Sequence, residues 1–266
     1  MRLRHNVDYT IETLTRLASE LGNCRAGNGP AERRDCWLRW WSTADAQLRN
    51  LFADGDLAAS LYVSQEKVRD LNLEALPLGL LNREIDVWVD RFGNLITELK
   101  ALKPFIERPG HIVVPDTSAF IEGTYFTELA WHAIAGVTDA EPVRPVVPIL
   151  VVEELDDHKR GRGDRVPHRA RSVLRRLWEL HASGTAQAAV IPGRPVTVEV
   201  FGDGQWHVRR PVNDDEIIER AAAIGEMTGQ EVVLAAADYA MLYRAGAAGL
   251  KAALVPRPDD AADTGP

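Results

Sequence analysis

The stretch from His111 to Ser118, HIVVPDTS in one-letter code, joins a short β-branched run to a polar Pro-Asp-Thr-Ser end, and a helical pattern follows it. Comparable apolar runs separated by helical segments come later, at Val146–Val151, Ala188–Ile191, Glu231–Ala235 and Ala252–Val255. Strands that alternate with helices indicate right-handed crossovers and a mainly parallel sheet. We therefore predict an α/β fold for residues 109–256, with a disordered tail at 257–266.

One part of this region predicts antiparallel pairing. Val196–Val200 and Trp206–Arg209 flank Gly202-Asp203-Gly204, and two short strands around a glycine-rich turn are typical of a hairpin.

Residues 1–108 show helical rather than alternating periodicity. The clearest pattern runs from Leu81 to Leu102, and Pro104–Gly110 marks the predicted boundary. Trp37 and Trp41 fall on the apolar face of a helix, whereas Trp40 lies off that face and is expected to be more exposed. Tryptophans can also stack on bases. We predict a helical accessory domain over residues 1–108, which could pack on itself, on the rest of the chain, on a second copy or on a protein partner.

Composition sets broad limits on function. The 266 residues carry a net charge of −8, which argues against a general nucleic-acid coat protein but leaves room for a nuclease with an acidic site. No apolar run approaches the roughly 20 residues needed to span a bilayer, so no membrane partner is expected. Two cysteines, Cys24 and Cys36, make no disulfide framework and no zinc spacing, which favours a reducing, cytoplasmic location.

Acidic residues stand where the predicted strands end or the following helices begin: Asp116, Glu153-Glu154, Asp214-Asp215 and Asp238. Ligands of open α/β sheets bind outside the carboxyl ends of the strands. Each acid alone could be only a helix cap, and Asn213 with Glu216 resembles a capping box. Together, carboxylates at one edge would repel one another unless cations such as Mg²⁺ or Mn²⁺ lay between them.

Four segments resemble the PIN domain family in their order and context: Val113–Ser118, Val147–Asp156, Asn213–Ile218 and Val232–Asp238. The resemblance covers about residues 110–256. It implies a parallel sheet flanked by helices and a Mg²⁺- or Mn²⁺-dependent endoribonuclease that hydrolyses single-stranded RNA.

The resemblance also assigns residues. It implies that Asp116, Glu154, Asp214 and Asp238 are catalytic and bind metal, with Asp215 as the alternative third acid. Ser118 matches a small polar residue that supports the first acid. The family often has Thr or Ser where this chain has Ala236, and the lost hydroxyl would weaken support for the fourth acid. An RNA- or protein-binding module with a degenerate, inactive site is therefore the alternative.

A basic strip lies between the second acid and the third strand. Either it is a solvated helix face, or its arginines and lysine bind phosphate, as several PIN proteins do with a basic loop at this place. The predicted RNA contacts are Lys159, Arg160, Arg162, Arg165 and Arg169. No P-loop is present, and Gly161-Arg162-Gly163 lacks the third glycine of a dinucleotide-binding fingerprint.

Overall fold

The structure is a computed structural model that describes residues 3–27, 29–52, 62, 65–66, 69, 78–161, 165–183, 188–204 and 207–257. The chain divides into two compact units, Met1–Arg108 and Pro109–Pro266. The predicted tail lies almost wholly outside the described residues, as do Arg162 and Trp206. In the part of the chain that the structure describes, no helix is long and apolar enough to cross a membrane.

The first unit is helical. Its described helices are α1 (Val7–Asn23), a 3₁₀ turn (Cys24–Ala26), α2 (Pro30–Leu51) and α3 (Leu78–Ile106). Asn6 begins α1 by accepting the Tyr9 N–H at 2.8 Å, and Pro30 begins α2 at a position where its missing N–H costs nothing. The helices bury one apolar cluster, which includes Leu14, Leu48 and Phe92.

Two expectations for this unit were wrong. Trp40 is buried, and its Nε1 donates to the Leu17 carbonyl at 3.0 Å, because the buried face of α2 runs through Trp37, Trp40 and Ala44. Trp41 is only half-buried. Cys24 and Cys36 form a disulfide with a Cα–Cα distance of 5.5 Å, so cysteine content no longer argues for a reducing compartment.

The second unit alternates strands and helices. Its elements in chain order are β1 (His111–Pro115), α4 (Thr117–Ile121), α5 (Trp131–Ala135), β2 (Val143–Pro148), α6 (Ile149–His158), α7 (Arg165–Ser183), β3 (Ala188–Val190), β4 (Thr197–Phe201), α8 (Asn213–Thr228), β5 (Val232–Ala236), α9 (Tyr239–Ala247) and β6 (Lys251–Leu254).

These strands form one six-stranded sheet in the order β3-β4-β2-β1-β5-β6. All neighbouring pairs are parallel except β3 and β4, which are antiparallel. The central strand β1 is buried from Ile112 to Pro115, as expected of a strand covered on both faces. The predicted α/β fold with a helical N-terminal region is confirmed.

The predicted hairpin has a different partner. Residues 207–210 form no strand, and β4 instead turns back from β3 through Ile191–Val196. Arg194 N–H donates to the Ile191 carbonyl at 3.2 Å, and Gly193 has φ +76°, which is the type II turn expected of Pro192 followed by glycine. The Pro-Gly pair therefore makes the hairpin turn, and Gly202–Gly204 does not.

The second strand also ends earlier than predicted. The run Val146–Val151 favours a strand, but β2 stops at Pro148 and α6 begins at Ile149. Glu154 therefore projects from within a helix rather than from the end of a strand.

Candidate active site

Asp116 follows the central strand and is 7% exposed. It caps α4, because its Oδ1 accepts the Ala119 N–H at 2.9 Å. The Ser118 hydroxyl lies 2.8 and 3.0 Å from the two Asp116 carboxylate oxygens and accepts the Ala237 N–H at 2.8 Å. Ser118 thus ties Asp116 to the end of β5.

The surroundings of Asp116 oppose its ionisation. Its pKa is raised to about 6, mainly by burial; the hydrogen bonds from Ala119 and Ser118 lower it, and the negative charges of Asp214 and Asp238 raise it. The fold therefore brings these three carboxylates within electrostatic reach of one another. Carboxylates gathered in this way suit a divalent cation, because oxygen donors are what Mg²⁺ and Mn²⁺ prefer and the cation removes the repulsion.

Glu154 is joined to this group by two hydrogen bonds. The Thr117 hydroxyl donates to its Oε2, and the Asn213 amide donates to its Oε1 at 2.6 Å. Thr117 is next to Asp116 and Asn213 is next to Asp214, so Glu154 lies between the first and third acids. Neither supporting residue was predicted from the sequence, although a polar residue beside each acid was a usable signal.

The capping-box interpretation of Asn213 and Glu216 was wrong. Helix α8 has Val212 as its N-cap, with no side-chain cap. The Asn213 amide reaches Glu154 instead. Glu216 is buried, and its Oε2 accepts the Arg210 N–H at 2.8 Å.

Asp214 and Asp215 share a cation that the sequence analysis did not identify. The Arg244 Nη1 lies 3.1 Å from Asp215 Oδ1 and 3.7 Å from Asp214 Oδ2. Arg244 is on α9, whose N-cap is Asp238, and Asp238 Oδ1 accepts the Ala240 N–H at 2.9 Å. A cation therefore already stands at one side of the acidic group.

A search against models of protein families found one that matches residues 113–255, described as the PIN domain. This match covers more than half of the chain. The chain belongs to the PIN domain family. No curated protein matched the chain. Its second unit, residues 109–266, is called the PIN unit below. Its fold is nuclease-like, and PIN domains are generally nucleases.

The PIN unit holds a second polar cluster, Asp203, His207 and Glu216. In the described part of the chain it is the one group of three or more potential metal ligands whose donor atoms all lie within 4.8 Å of one another. His207 Nε2 is 2.5 Å from Glu216 Oε1, and Arg209 Nε donates to Asp203 at 2.6 Å. Buried Arg220 also faces the cluster, and burial lowers its pKa while the charges of Asp203 and Glu216 raise it.

We interpret this cluster as structural, because it joins separate segments of the PIN unit. Arg209 pairs with Asp203, and buried Arg220 faces Asp203 and Glu216, so the carboxylates of the cluster already have cationic partners. Arg209 also donates to both Glu153 oxygens, and therefore ties α6 to the segment that leads into α8. Those are the helices that carry Glu154 and Asp214.

The basic strip of the PIN unit is partly neutralised from within. Lys159 and Arg160 both pair with Asp156, and Arg169 donates to the Gly123 carbonyl. Arg165 begins α7, which carries five arginines and one acid, Glu179. Arg162 lies outside the described residues.

Proposed function

We propose that the PIN unit is a metal-dependent endoribonuclease that hydrolyses single-stranded RNA. The observation that carries the proposal is Asp116: a buried carboxylate at the end of the central strand, with Asp214 and Asp238 near enough to oppose its ionisation. A group of acids held in this state is costly to the fold unless a cation balances it.

The residues proposed to bind metal are Asp116, Glu154, Asp214 and Asp238. One or two Mg²⁺ or Mn²⁺ ions at such a site would polarise the phosphate, activate water and stabilise the leaving oxygen. The chain itself supplies positioning: Ser118 orients Asp116, while Thr117 and Asn213 orient Glu154. Supporting hydrogen bonds of this kind fix the direction of ligand oxygens.

The choice of third acid rests on electrostatics. Asp214 raises the pKa of Asp116, and its neighbour Asn213 bonds Glu154. Asp215 instead makes the shorter contact with Arg244. We therefore propose Asp214 as the third ligand, with Asp215 holding Arg244 beside it.

The rival function is RNA or protein binding without turnover. Ala236 favours it, since no hydroxyl stands two residues before Asp238. Against it, the Ser118 hydroxyl accepts the Ala237 N–H and donates to Asp116. The end of β5 therefore still has a hydroxyl as a hydrogen-bond partner.

Turnover separates the two functions. We expect the full chain to cleave a labelled single-stranded RNA with Mn²⁺ or Mg²⁺, and to lose that activity in excess EDTA and regain it when metal is restored. Product release is measured on a denaturing gel. Cleavage that is undiminished by EDTA would exclude the metal-dependent mechanism. RNA binding without cleavage would favour a binding module without turnover.

We propose that the first unit is an accessory module that positions the PIN unit or recruits a protein partner. All the acids of the candidate site lie in the PIN unit. A fragment of residues 109–266 should therefore fold and give the same metal-dependent cleavage. If it aggregates, the accessory role is wrong.

RNA contact by the basic strip is the next prediction. Replacing Lys159, Arg160 and Arg162 together by alanine should weaken RNA binding and flatten its salt dependence by about 0.7 per lost phosphate contact. Asp156→Asn is the matched control, because it releases Lys159 and Arg160 from their acid and should strengthen binding. Fluorescence anisotropy at several salt concentrations measures both. An unchanged slope in the triple variant means that the strip is a solvated face.

A further inference from the structure

Tyr125 is an exposed aromatic residue on a well-anchored loop. Its side chain is 53% exposed. Its carbonyl accepts the N–H groups of Glu128 and Leu129 at 2.7 and 3.0 Å. The next residue, Phe126, is buried between Phe120 and Trp131, with ring centroids 5.5 and 6.0 Å away. The ring is therefore presented to solvent from a fixed backbone.

Arg169 holds this ring from the neighbouring helix α7. Its guanidinium carbon lies 5.0 Å from the centre of the Tyr125 ring, and it also donates to the Gly123 carbonyl. Gly123 itself is tightly enclosed, since an added Cβ would lie 2.4 Å from the Ala119 carbonyl oxygen. A half-buried arginine that is both stacked and hydrogen-bonded fixes the orientation of the tyrosine.

The Tyr125–Arg169 pair forms a wall shared by two cavities. One has a volume of about 160 Å³ and an apolar lining that includes Phe120 and Phe126. Its charged lining is Arg169, Arg175, Arg176, Glu128 and Glu179, and Glu179 pairs with Arg175 and Arg176. The other, of about 580 Å³, is more open and is lined by Tyr125, Arg165, His168 and Arg169. Since a cavity of roughly 150 Å³ accepts a benzene ring, the smaller one has room for a ring of that size.

The charge around these cavities selects the occupant. Helix α7 carries five arginines and one acid in a chain of net charge −8. Arginines beside an exposed aromatic ring are the elements that bind single-stranded nucleic acid, the ring by stacking on bases and the cations by contacting phosphates. An apolar ligand would have no use for the arginines, and a double helix could not bring a base into the cavity.

The position along the chain places this surface near the acids. Asp116 is the N-cap of α4, and this helix ends at Ile121, four residues before Tyr125. At helical and extended rises, the Cα atoms of Asp116 and Tyr125 lie within about 22 Å. A single strand a few nucleotides long therefore reaches both.

We propose that the Tyr125–Arg169 wall is a base-binding subsite, which stacks one unpaired nucleobase of the RNA while the arginines of α7 hold the adjoining phosphates. The subsite rests on the proposed function, and it adds residues outside the basic strip, above all Tyr125. Arg169 acts mainly by holding the ring.

The test measures binding of a short single-stranded RNA to the full chain. Binding is measured at equilibrium in EDTA, and by stopped flow in Mg²⁺ before the RNA is cleaved. The RNA carries the fluorescent base 2-aminopurine at one position, moved along the strand in successive oligonucleotides. We expect quenching at one position. Tyr125→Ala should abolish that quenching and weaken binding about 5- to 150-fold, the range for loss of one stacked base. Tyr125→Phe, which keeps the ring, should bind as the wild type does.

Tyr9→Ala is the matched control, because Tyr9 is a 46% exposed tyrosine in the other unit. Melting curves of all variants show whether a loss reflects unfolding. Equal affinity of Tyr125→Ala and wild type, or an equal loss in Tyr9→Ala, overturns the subsite and leaves the cavity to a ligand of other chemistry. If the wild type binds no RNA under either condition, the subsite and the proposed substrate fall together. If it shows the Tyr125 effect but never cleaves, only the proposed catalysis fails.

Discussion

Asp116→Asn should lower RNA cleavage by roughly 10²- to 10⁴-fold, because it removes the most buried carboxylate of the proposed metal site and with it several kcal/mol of charge stabilisation. The hydrogen bond from the Ala119 N–H can be kept by the asparagine oxygen, so the turn into α4 should persist. Initial rates on labelled RNA with saturating Mn²⁺ measure the loss.

The same substitution should stabilise the metal-free protein. The pKa of Asp116 is raised from 3.8 to about 6 on folding, so the folded state binds the proton more tightly. The free energy of unfolding therefore falls as the pH rises from about 4 to 6, and the full penalty, about 3 kcal/mol, is present above pH 6. Asp116→Asn should recover up to that amount at pH 7 in EDTA and almost nothing below pH 4.

Metal should reverse the order of the two proteins. Binding to the folded state adds about 4.1 kcal/mol at a metal concentration roughly 1,000 times Kd, which exceeds the penalty on Asp116, and only the wild type should gain it. Urea denaturation at pH 4 and pH 7, with EDTA or Mn²⁺, measures all four cases. Asp90→Asn makes the same change of charge on an exposed side chain of α3 and should alter neither activity nor stability. A variant that cleaves RNA at the wild-type rate would remove Asp116 from the mechanism.

The fold could be predicted from sequence where the signal is local and repeated. Alternation of strands and helices placed β1 and β5 within a residue or two of where they lie. The prediction failed where a single residue ends an element inside an apolar segment. Strand β2 ends at Pro148, although Val146–Val151 has the composition of a single strand. The hairpin prediction failed for a similar reason. Two segments with turn residues, Pro192-Gly193 and Gly202–Gly204, were candidates for the hairpin turn, and the structure uses Pro192-Gly193.

The acids of the candidate site can be proposed from the sequence, whereas their partners cannot. Asp116, Asp214 and Asp238 stand out because each follows a strand or begins a helix, a pattern visible along the chain. Glu154 was chosen by the same pattern, but it lies within α6. Arg244 contacts Asp215 across 29 residues, and Asn213 contacts Glu154 across 59. Contacts of that separation depend on the order of strands in the sheet, which periodicity does not contain.

The two cysteines illustrate the same limit. Cys24 and Cys36 are separated by 12 residues, a spacing compatible with free thiols or with a bond. Only the packing of the 3₁₀ turn on α2 brings their Cα atoms to 5.5 Å. The interpretation of these cysteines from composition alone was therefore wrong.

Arg144→Met should strongly destabilise the PIN unit. Arg144 on β2 and Glu199 on β4 are fully buried, and Nε lies 2.7 Å from Oε1. Removing the cation leaves a carboxylate in an apolar sheet, at a cost of about 3–5 kcal/mol. Because β2 leads into α6 with Glu154, and β4 leads towards α8 with Asp214, the pair also aligns two strands that carry the site. Urea denaturation should show the loss, and cleavage should fall only as the protein unfolds.

Two controls make this prediction specific to burial. Lys251 and Glu231 form a pair of similar length, 2.5 Å, but are 63% and 64% exposed, so Lys251→Met should cost less than about 1 kcal/mol. The double variant Arg144→Met with Glu199→Leu replaces both charges by apolar groups and should recover most of the lost stability, since the penalty comes from the unbalanced charge rather than from the missing attraction. A double variant as unstable as Arg144→Met alone would show instead that shape, and not charge, holds β2 against β4.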